Sequence, residues 1–184
     1  MNDVNNLATF LSDGWLHIMQ GISKSDAPAR FPTFATVAPN GKPEARTVAL
    51  RNADRKSNII EVYTDITTPK VTSLRKTPLA AVHIWVPKAQ MQIRLTTKVK
   101  ILTGTKTNAK WDKVPLESRV SYGTTPTPGS PIPHVHAYEK PAHQHFFAVL
   151  QCHIAHIDLV HLDARHRRAS FSSEDNWQGT WLSP

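Results

Sequence analysis

Short apolar runs separated by turn-forming residues recur along most of the chain, a pattern typical of β-strands joined by tight turns. The clearest turn signal is Pro39-Asn40-Gly41-Lys42, which predicts a sharp reversal between two strands. The predicted strands cover residues 31–38, 44–52, 58–64, 79–86, 91–103, 146–162, 167–172 and 176–182. This arrangement indicates a mainly β fold, an antiparallel β-barrel with short flanking helices.

Helices are predicted in three places. Residues 4–20 predict an amphipathic helix at the start of the chain. A short helix is predicted over 68–76, because Pro69 suits a first helical turn and a threonine precedes it as a cap. A further helix is expected around Trp111, within residues 105–121.

One stretch departs in composition from the rest. Residues 124–144 are rich in proline and histidine and predict an ordered loop or a flexible excursion. With 184 residues, the chain suits one domain with a sizeable core, so we expect a single domain over 1–184.

The net charge of +8 leaves two classes of partner open, nucleic acid and a phosphorylated small molecule. The basic residues form no dense run, which favours the small molecule. No apolar run reaches the length of a membrane span, and the first residues lack the features of a secretion signal. The single cysteine, Cys152, lies in an apolar stretch and suits an inert core thiol. A cytoplasmic location is expected.

A cluster of hydroxyl groups in the stretch VYTDITTPK follows a predicted strand and ends in Lys70. The hydroxyls belong to Thr64, Thr67 and Thr68. If this strand pairs as a hairpin with the one before it, Arg46 and Lys70 would converge on them. Two cations and several neutral donors can hold a phosphate dianion, and the start of the following helix would add free N–H groups. An ordinary solvated turn with capping residues is the alternative reading of the same spacing.

The order of several motifs resembles a known family. ARTVALR is followed by VYTDITTPK and then by PLAAVHIWVPKAQMQIRLTTKVKIL, and the chain finishes with RRASFSSEDNWQGTWLSP. This order and spacing are similar to those of the pyridoxamine 5'-phosphate oxidase family of flavoproteins. The resemblance implies a split β-barrel that binds FMN, with the flavin at the interface of a homodimer.

The resemblance also implies which residues hold the cofactor. The positions that correspond to FMN-binding positions of the family are Arg46, Thr47, Val48, Ala49, Leu50, Arg51, Tyr63, Thr64, Thr68, Lys70, Gln92, Ser130 and Arg168. Arg168 would approach the edge of the flavin ring, with the neighbouring Arg167 as the alternative, and Arg119 falls in a segment that corresponds to a shortened substrate-phosphate segment of the family. Arg168 and Arg119 are therefore the predicted catalytic residues. Pro69 stands where the family has a further phosphate-binding arginine.

The activity implied by the resemblance is oxidation of pyridoxamine or pyridoxine 5'-phosphate, with a hydride passing to FMN and the electrons then passing to dioxygen. Two alternatives stay open: reduction of another small molecule by a nicotinamide donor, and flavin binding without turnover. The partners expected are a second copy of the chain and a phosphorylated substrate, with no nucleic acid and no membrane. Closely spaced histidines, such as His134 with His136 and His143 with His145, could chelate a metal. No metal is expected, because nothing nearby completes a site.

Overall fold

A computed structural model describes residues 5–184 of the chain. Its strands are β1 Thr33–Val37, β2 Pro43–Thr47, β3 Leu50–Asp54, β4 Ile59–Asp65, β5 Leu79–Val86, β6 Met91–Leu102, β7 Phe147–His161, β8 Arg167–Ser172 and β9 Thr180–Leu182. Its α-helices are α1 Leu7–Ser23, α2 Pro69–Lys76, α3 Asn108–Trp111 and α4 Leu116–Arg119. Short 3₁₀ turns occupy Pro28–Arg30, Pro87–Ala89, Gly104–Thr107, Gln144–Phe146 and Ser173–Asp175.

All the strands join one antiparallel sheet, in the order β2-β1-β5-β6-β7-β4-β3, with β8 beside β7 and β9 beside β8. The 15-residue strand β7 pairs with β6 along one edge and is long enough to pair with two strands along the other. Its first half pairs with β4 and its second half with β8. The predicted mainly β fold is confirmed.

Alternation along the strands sends one set of side chains into a common core. In β6 every second residue from Met91 to Val99 is buried, and the residues between them are exposed or half-buried. Helix α1 covers this core with Phe10, Trp15 and Ile18, all at most 2% exposed. At Gly21 helix α1 packs closely against the 3₁₀ turn Pro28–Arg30, since a Cβ on Gly21 would lie 2.6 Å from the backbone of Ala29.

The predicted strand at 44–52 is wrong in one respect that matters for the site. The structure breaks it into β2 and β3, with Val48 and Ala49 between them. Strand β2 pairs with β1, whereas β3 pairs with β4. Arg46 therefore does not share a hairpin with the threonine-rich turn, because its own strand pairs elsewhere.

Other element bounds differ more modestly. Helix α1 begins after Asn6, whose side chain accepts a hydrogen bond from the Thr9 amide at 2.9 Å, and it extends to Ser23. Its predicted start at residue 4 lies outside the described residues. The single helix predicted within 105–121 is replaced by short helical turns separated by loop. The last strand is shorter than predicted because Asn176 and Trp177 have positive φ values, 55° and 64°, which a strand does not allow.

A second apolar cluster covers the outside of the barrel where β4 meets β7. It consists of Trp111, Val114, Tyr122, Phe147 and Val149. The cluster holds the segment between β6 and β7 against the sheet, next to the turn that follows β4. None of the helices in residues 5–184 has the length and apolarity to cross a membrane.

Candidate functional site

The turn after β4 gathers hydroxyl groups around one lysine. Lys70 Nζ donates to Thr64 Oγ1 at 3.1 Å, and the hydroxyl oxygens of Thr64 and Thr68 lie 3.3 Å apart. Both threonines are buried. Helix α2 starts at Pro69, one residue after its predicted start, so the ammonium and hydroxyl groups lie at its first turn. The sequence-predicted residues of this turn are thus brought together.

Asp65, which the sequence analysis did not single out, organises this turn. Its Oδ1 accepts hydrogen bonds from the amide and the hydroxyl of Thr67, the amide lying at 2.7 Å. Its Oδ2 accepts from the Gly123 amide at 2.6 Å, which ties the turn to the segment before the proline- and histidine-rich loop. Gly123 has φ +100°, and a Cβ there would lie 3.0 Å from the Phe146 ring. The hydrogen bonds to the Asp65 carboxylate therefore hold the turn in place.

Arg46 reaches the same end of the barrel from β2. Its Nη1 donates to Thr36 Oγ1 at 2.7 Å and to the Phe34 carbonyl at 3.2 Å. Its Nη2 pairs with Glu44 Oε2 at 2.9 Å. Helix α2 closes the arrangement, because Ser73 Oγ lies 3.4 Å from the same oxygen of Glu44. The guanidinium is thus fixed in the barrel wall beside α2.

The two cations lie close enough to repel each other. Burial lowers the pKa of Lys70, the positive charge of Arg46 lowers it further, and Asp65 partly opposes both effects. An anion bound between Arg46 and Lys70 would relieve this repulsion. The donor set, two cations and two threonine hydroxyls at a helix start, has the chemistry that a phosphate ester requires.

Ser130 lies beside the same turn. A cleft of about 480 Å³ is lined by Glu44, Thr67, Pro69, Ser73 and the loop from Thr127 to Pro131, which includes Ser130. A Cβ on Gly129 would lie 3.4 Å from the ring of Pro69. The loop predicted to contact the flavin therefore packs against the start of α2.

The residues between Arg46 and Arg51 form the link between two strands. Val48 and Leu50 are buried, and the Val48 amide donates to the Pro32 carbonyl at 3.1 Å. Thr47 is exposed and Ala49 half-buried.

Arg51 faces a different cavity, of about 230 Å³, which it lines with Leu50 and Tyr63. Burial raises the pKa values of Tyr63 and Tyr122, and the positive charge of Arg51 partly offsets it.

The side chain of Arg119 contacts groups of its own segment. Its guanidinium lies 4.9 Å from the centre of the Trp111 ring, and its Nε donates to the Val114 carbonyl at 3.0 Å. A further donor reaches the Trp111 carbonyl at 3.3 Å. In this position the side chain closes the turn between α3 and α4. Its predicted catalytic role would require it to leave these partners.

Gln92 and Arg168 lie on the outer face of the sheet, in register across β6, β7 and β8. Gln92 Oε1 is 3.3 Å from His83 Nε2. Arg168 pairs with Asp158 at 2.9 Å, and Arg94 pairs with the same oxygen at 2.7 Å.

Burial acts to raise the pKa of Asp158, but the hydrogen bonds from Arg168 and Arg94 outweigh it and lower that pKa. The other oxygen of Asp158, Oδ1, is buried and has no hydrogen-bond partner among residues 5–184.

The Arg168 face and the Lys70 turn lie at opposite ends of β7. Thr64 is in register with Ala148, whereas Arg168 is in register with Val160, twelve positions further along the strand. At roughly 3.3 Å per residue this separation is about 40 Å of strand. Within one protomer, the predicted cofactor-binding residues therefore form separate groups, one around Lys70 and one around Arg168.

The histidine-rich segment forms no compact group of ligands. His134, His136, His143 and His145 are exposed or half-exposed, and the rings of His143 and His145 stack with centres 5.5 Å apart. Within the described range, 5–184, no three His, Cys, Asp or Glu side chains are grouped as metal ligands would be.

Comparison with known sequences gives one family. Residues 12–103, half of the chain, match the family described as pyridoxamine 5'-phosphate oxidase, FMN-binding domain. A pyridoxine/pyridoxamine 5'-phosphate oxidase of Gloeothece citriformis is 34% identical over 88 residues, covering 48% of this chain and 40% of the relative. Pyridoxine/pyridoxamine 5'-phosphate oxidase 2 of Arabidopsis thaliana is 26% identical over 128 residues, covering 64% of each chain. The matches thus span less than two thirds of these relatives' length.

Solved structures share the fold over nearly the whole chain. A pyridoxamine 5'-phosphate oxidase-related, FMN binding protein from Nostoc punctiforme superimposes with a TM-score of 0.76 at 20% identity, covering 99% of this chain and 100% of the other. PhzG from Burkholderia lata, solved with tetrahydrophenazine-1-carboxylic acid, gives a TM-score of 0.70 at 16% identity, covering 100% and 95%. At these identities the likeness shows the fold alone.

Proposed function

Because the chain belongs to the pyridoxamine 5'-phosphate oxidase family, whose FMN-binding domain matches residues 12–103, we propose that it binds FMN as the cofactor of an oxidoreductase acting on a small molecule. The observation that carries this proposal is the group of donors at the start of α2, where Lys70 Nζ lies 3.1 Å from the buried hydroxyl of Thr64 and Arg46 lies in the adjoining barrel wall. Burial, and then the positive charge of Arg46, lower the pKa of Lys70. An FMN phosphate is the anion that this family offers to such a site.

The residues around Lys70 bind and orient the phosphate. Lys70 and Arg46 supply charged donors, and the buried hydroxyl of Thr64 supplies a neutral one at the same end of the barrel. The Thr68 hydroxyl donates to the Asp65 carbonyl at 2.8 Å and would exchange that acceptor for the phosphate. When bound, FMN supplies the two-electron chemistry, and the protein determines where it is held and what reaches it. The link from Thr47 to Leu50 offers backbone groups to the flavin, while Arg51 and Tyr63 line the neighbouring cavity.

A second copy of the chain completes the site in this proposal. The outer face that carries Gln92 and Arg168 also exposes Trp85, which is 40% exposed and in register with Gln92. Leu79 is 52% exposed and lies six positions away along β5, at the end of β1 that carries Val37, which is 41% exposed. Exposed apolar side chains on a sheet face suit contact with another protein surface. A homodimer that joins this face of one protomer to the Lys70 turn of the other would bring Arg168 to the flavin.

Arg168 is the better of the two predicted catalytic arginines. Asp158 holds its guanidinium on the sheet face, so its charge is already oriented before a ligand arrives. A fixed positive charge near the flavin would stabilise the negative charge that develops when the substrate is oxidised. Arg119, by contrast, is held by carbonyl groups of its own segment.

The substrate we propose is pyridoxine or pyridoxamine 5'-phosphate. Oxidation of the alcohol removes a hydride from carbon and a proton from oxygen. Dioxygen gains the two electrons and two protons and becomes hydrogen peroxide. Reduction of another small molecule by a nicotinamide donor is the second candidate, favoured by the internal engagement of Arg119, which the family resemblance assigns to the substrate segment.

Peroxide formation tests this proposal. Purified protein reconstituted with FMN is expected to be yellow and to release hydrogen peroxide from pyridoxine 5'-phosphate in air. The dephosphorylated vitamer, pyridoxine, is the matched control and should react far more slowly. A yellow protein that releases no peroxide, but loses its colour with NADPH under anaerobic conditions, would favour the second candidate. Protein that takes up no FMN at all would contradict both.

Mixing two inactive variants tests the composite site. Lys70→Ala and Arg168→Ala homodimers should each form peroxide slowly, but subunit exchange between them should recover activity. In a mixed dimer one site loses both residues and the other keeps both, so an equimolar mixture should recover roughly a quarter of the wild-type rate. A double variant mixed with wild type in the same way is the control. No recovery after confirmed exchange would place Lys70 and Arg168 of one protomer at the same flavin.

A further inference from the structure

A carboxylate lies where the cofactor phosphate would meet Arg46. Glu44 Oε2 is 2.9 Å from Arg46 Nη2 and 3.4 Å from Ser73 Oγ on α2. The Glu44 side chain is 37% exposed and lines the cleft beside Ser130. The Glu44 carboxylate thus contacts the Arg46 guanidinium on the side that faces the cleft.

Arg46 does not need this carboxylate to stay in place. Its Nη1 is already fixed by the buried hydroxyl of Thr36 and by the carbonyls of Phe34 and Glu44. These three acceptors belong to the wall formed by β1 and β2. Glu44 Oε2 therefore adds a negative charge to a guanidinium that is oriented without it.

The charges around the turn nearly cancel. Arg46 and Lys70 supply two positive charges, and Glu44 and Asp65 supply two negative ones nearby. Pro69 provides no further cation where the family has an arginine. A phosphate dianion approaching this site gains attraction from two groups but meets repulsion from two others. The phosphate is therefore bound less tightly than the two cations alone would bind it.

We propose that Glu44 is an internal counter-ion that competes with the FMN phosphate for Arg46, and so makes FMN an exchangeable ligand. This inference rests on the proposed function, because it assigns the phosphate to the same site. In the absence of flavin, the carboxylate neutralises the guanidinium. When FMN binds, the phosphate displaces the carboxylate from Nη2, and Glu44 turns toward solvent through the cleft.

Two substitutions separate competition from positioning. Glu44→Gln keeps the size of the side chain and an oxygen that can accept from Arg46, but removes the negative charge. Glu44→Ala removes both. If Glu44 competes with the phosphate, both variants bind FMN more tightly than wild type. If it served to position Arg46, Glu44→Ala would bind FMN more weakly and Glu44→Gln would resemble wild type.

The measurement is titration of flavin-free protein with FMN and with riboflavin, followed by quenching of flavin fluorescence. Glu44→Gln should lower the dissociation constant for FMN about 3- to 5-fold, the upper part of the range for one partly exposed charge. Riboflavin has no phosphate, so its dissociation constant should change less than about 2-fold. The FMN effect should shrink at high salt, because the charges are partly exposed. Glu174→Gln, an exposed carboxylate beyond β8, is the matched control and should leave both constants unchanged.

The outcomes are distinct. Tighter FMN binding with unchanged riboflavin binding supports the counter-ion. An unchanged or larger FMN constant in Glu44→Gln overturns it while leaving the proposed function intact, since wild type still binds FMN. Equal tightening of FMN and riboflavin also overturns it, because the effect would then act on the flavin ring. If neither wild type nor variant binds FMN, the proposed function fails together with this inference.

Discussion

Replacing Lys70 with alanine is expected to weaken FMN binding by about 1.5–3 kcal/mol, or roughly 10- to 150-fold in dissociation constant. The reason is the loss of a charged hydrogen-bond donor from a site in which Arg46 is the second cation. The hydroxyls of Thr64 and Thr68 would remain, but they are neutral and carry about half the strength of a charged donor. Fluorescence titration of flavin-free protein measures the change directly.

The choice of ligand and control variant makes this prediction specific. Riboflavin binding to Lys70→Ala should stay close to that of wild type, since riboflavin lacks the phosphate. Arg75→Ala removes an exposed cation from the same helix and should leave FMN binding within about 2-fold of wild type. Equal losses for FMN and riboflavin would show that Lys70 supports the fold of the turn rather than the phosphate.

The alternation of apolar and polar residues made the strands predictable, but it did not predict the break within 44–52. Apolar residues recur at every second position from Met91 to Leu95 and again at Val99 and Ile101, and the structure has a strand over Met91–Leu102. The segment from Glu44 to Asn52 has the same strand character, yet the chain changes neighbours at Val48. That change separates two hairpins, β1–β2 and β3–β4, whose outer strands β2 and β3 lie at opposite ends of the strand order. Local pattern carries no information about it.

Likewise, site residues that are close in sequence could be predicted, whereas contacts made by long-range packing could not. Lys70 and the threonines are contiguous, so they converge wherever the turn forms. The hairpin reasoning for Arg46 was wrong, although the charge of Arg46 still acts on Lys70, because α2 packs against β1. Asp65 had a local signal, since an aspartate two residues before a threonine often accepts from its amide. The Gly123 contact and the approach of Glu44 to Ser73 are long-range and leave no such signal.

Asp65→Ala is expected to lower the free energy of unfolding by about 2–4 kcal/mol. Asp65 is 2% exposed and accepts three hydrogen bonds, two from Thr67 and one from the buried Gly123 amide. Removing its oxygens leaves these donors without partners in a place that water cannot easily fill. The substitution also releases the segment at Gly123 from the turn. Denaturant unfolding of the flavin-free protein measures the loss without any contribution from bound ligand.

Asp65→Asn distinguishes hydrogen bonding from packing. Asparagine keeps the shape of the side chain and one acceptor oxygen, but its amide nitrogen must face a donor, either at Thr67 or at Gly123. We therefore expect a loss of stability intermediate between wild type and Asp65→Ala. Asp26→Ala, at an exposed turn before β1, is the matched loss of a carboxylate and should change stability by less than about 0.5 kcal/mol. If Asp65→Ala were as stable as Asp26→Ala, the turn that holds Lys70 would have to be fixed by α2 alone, and the carboxylate would have no structural role.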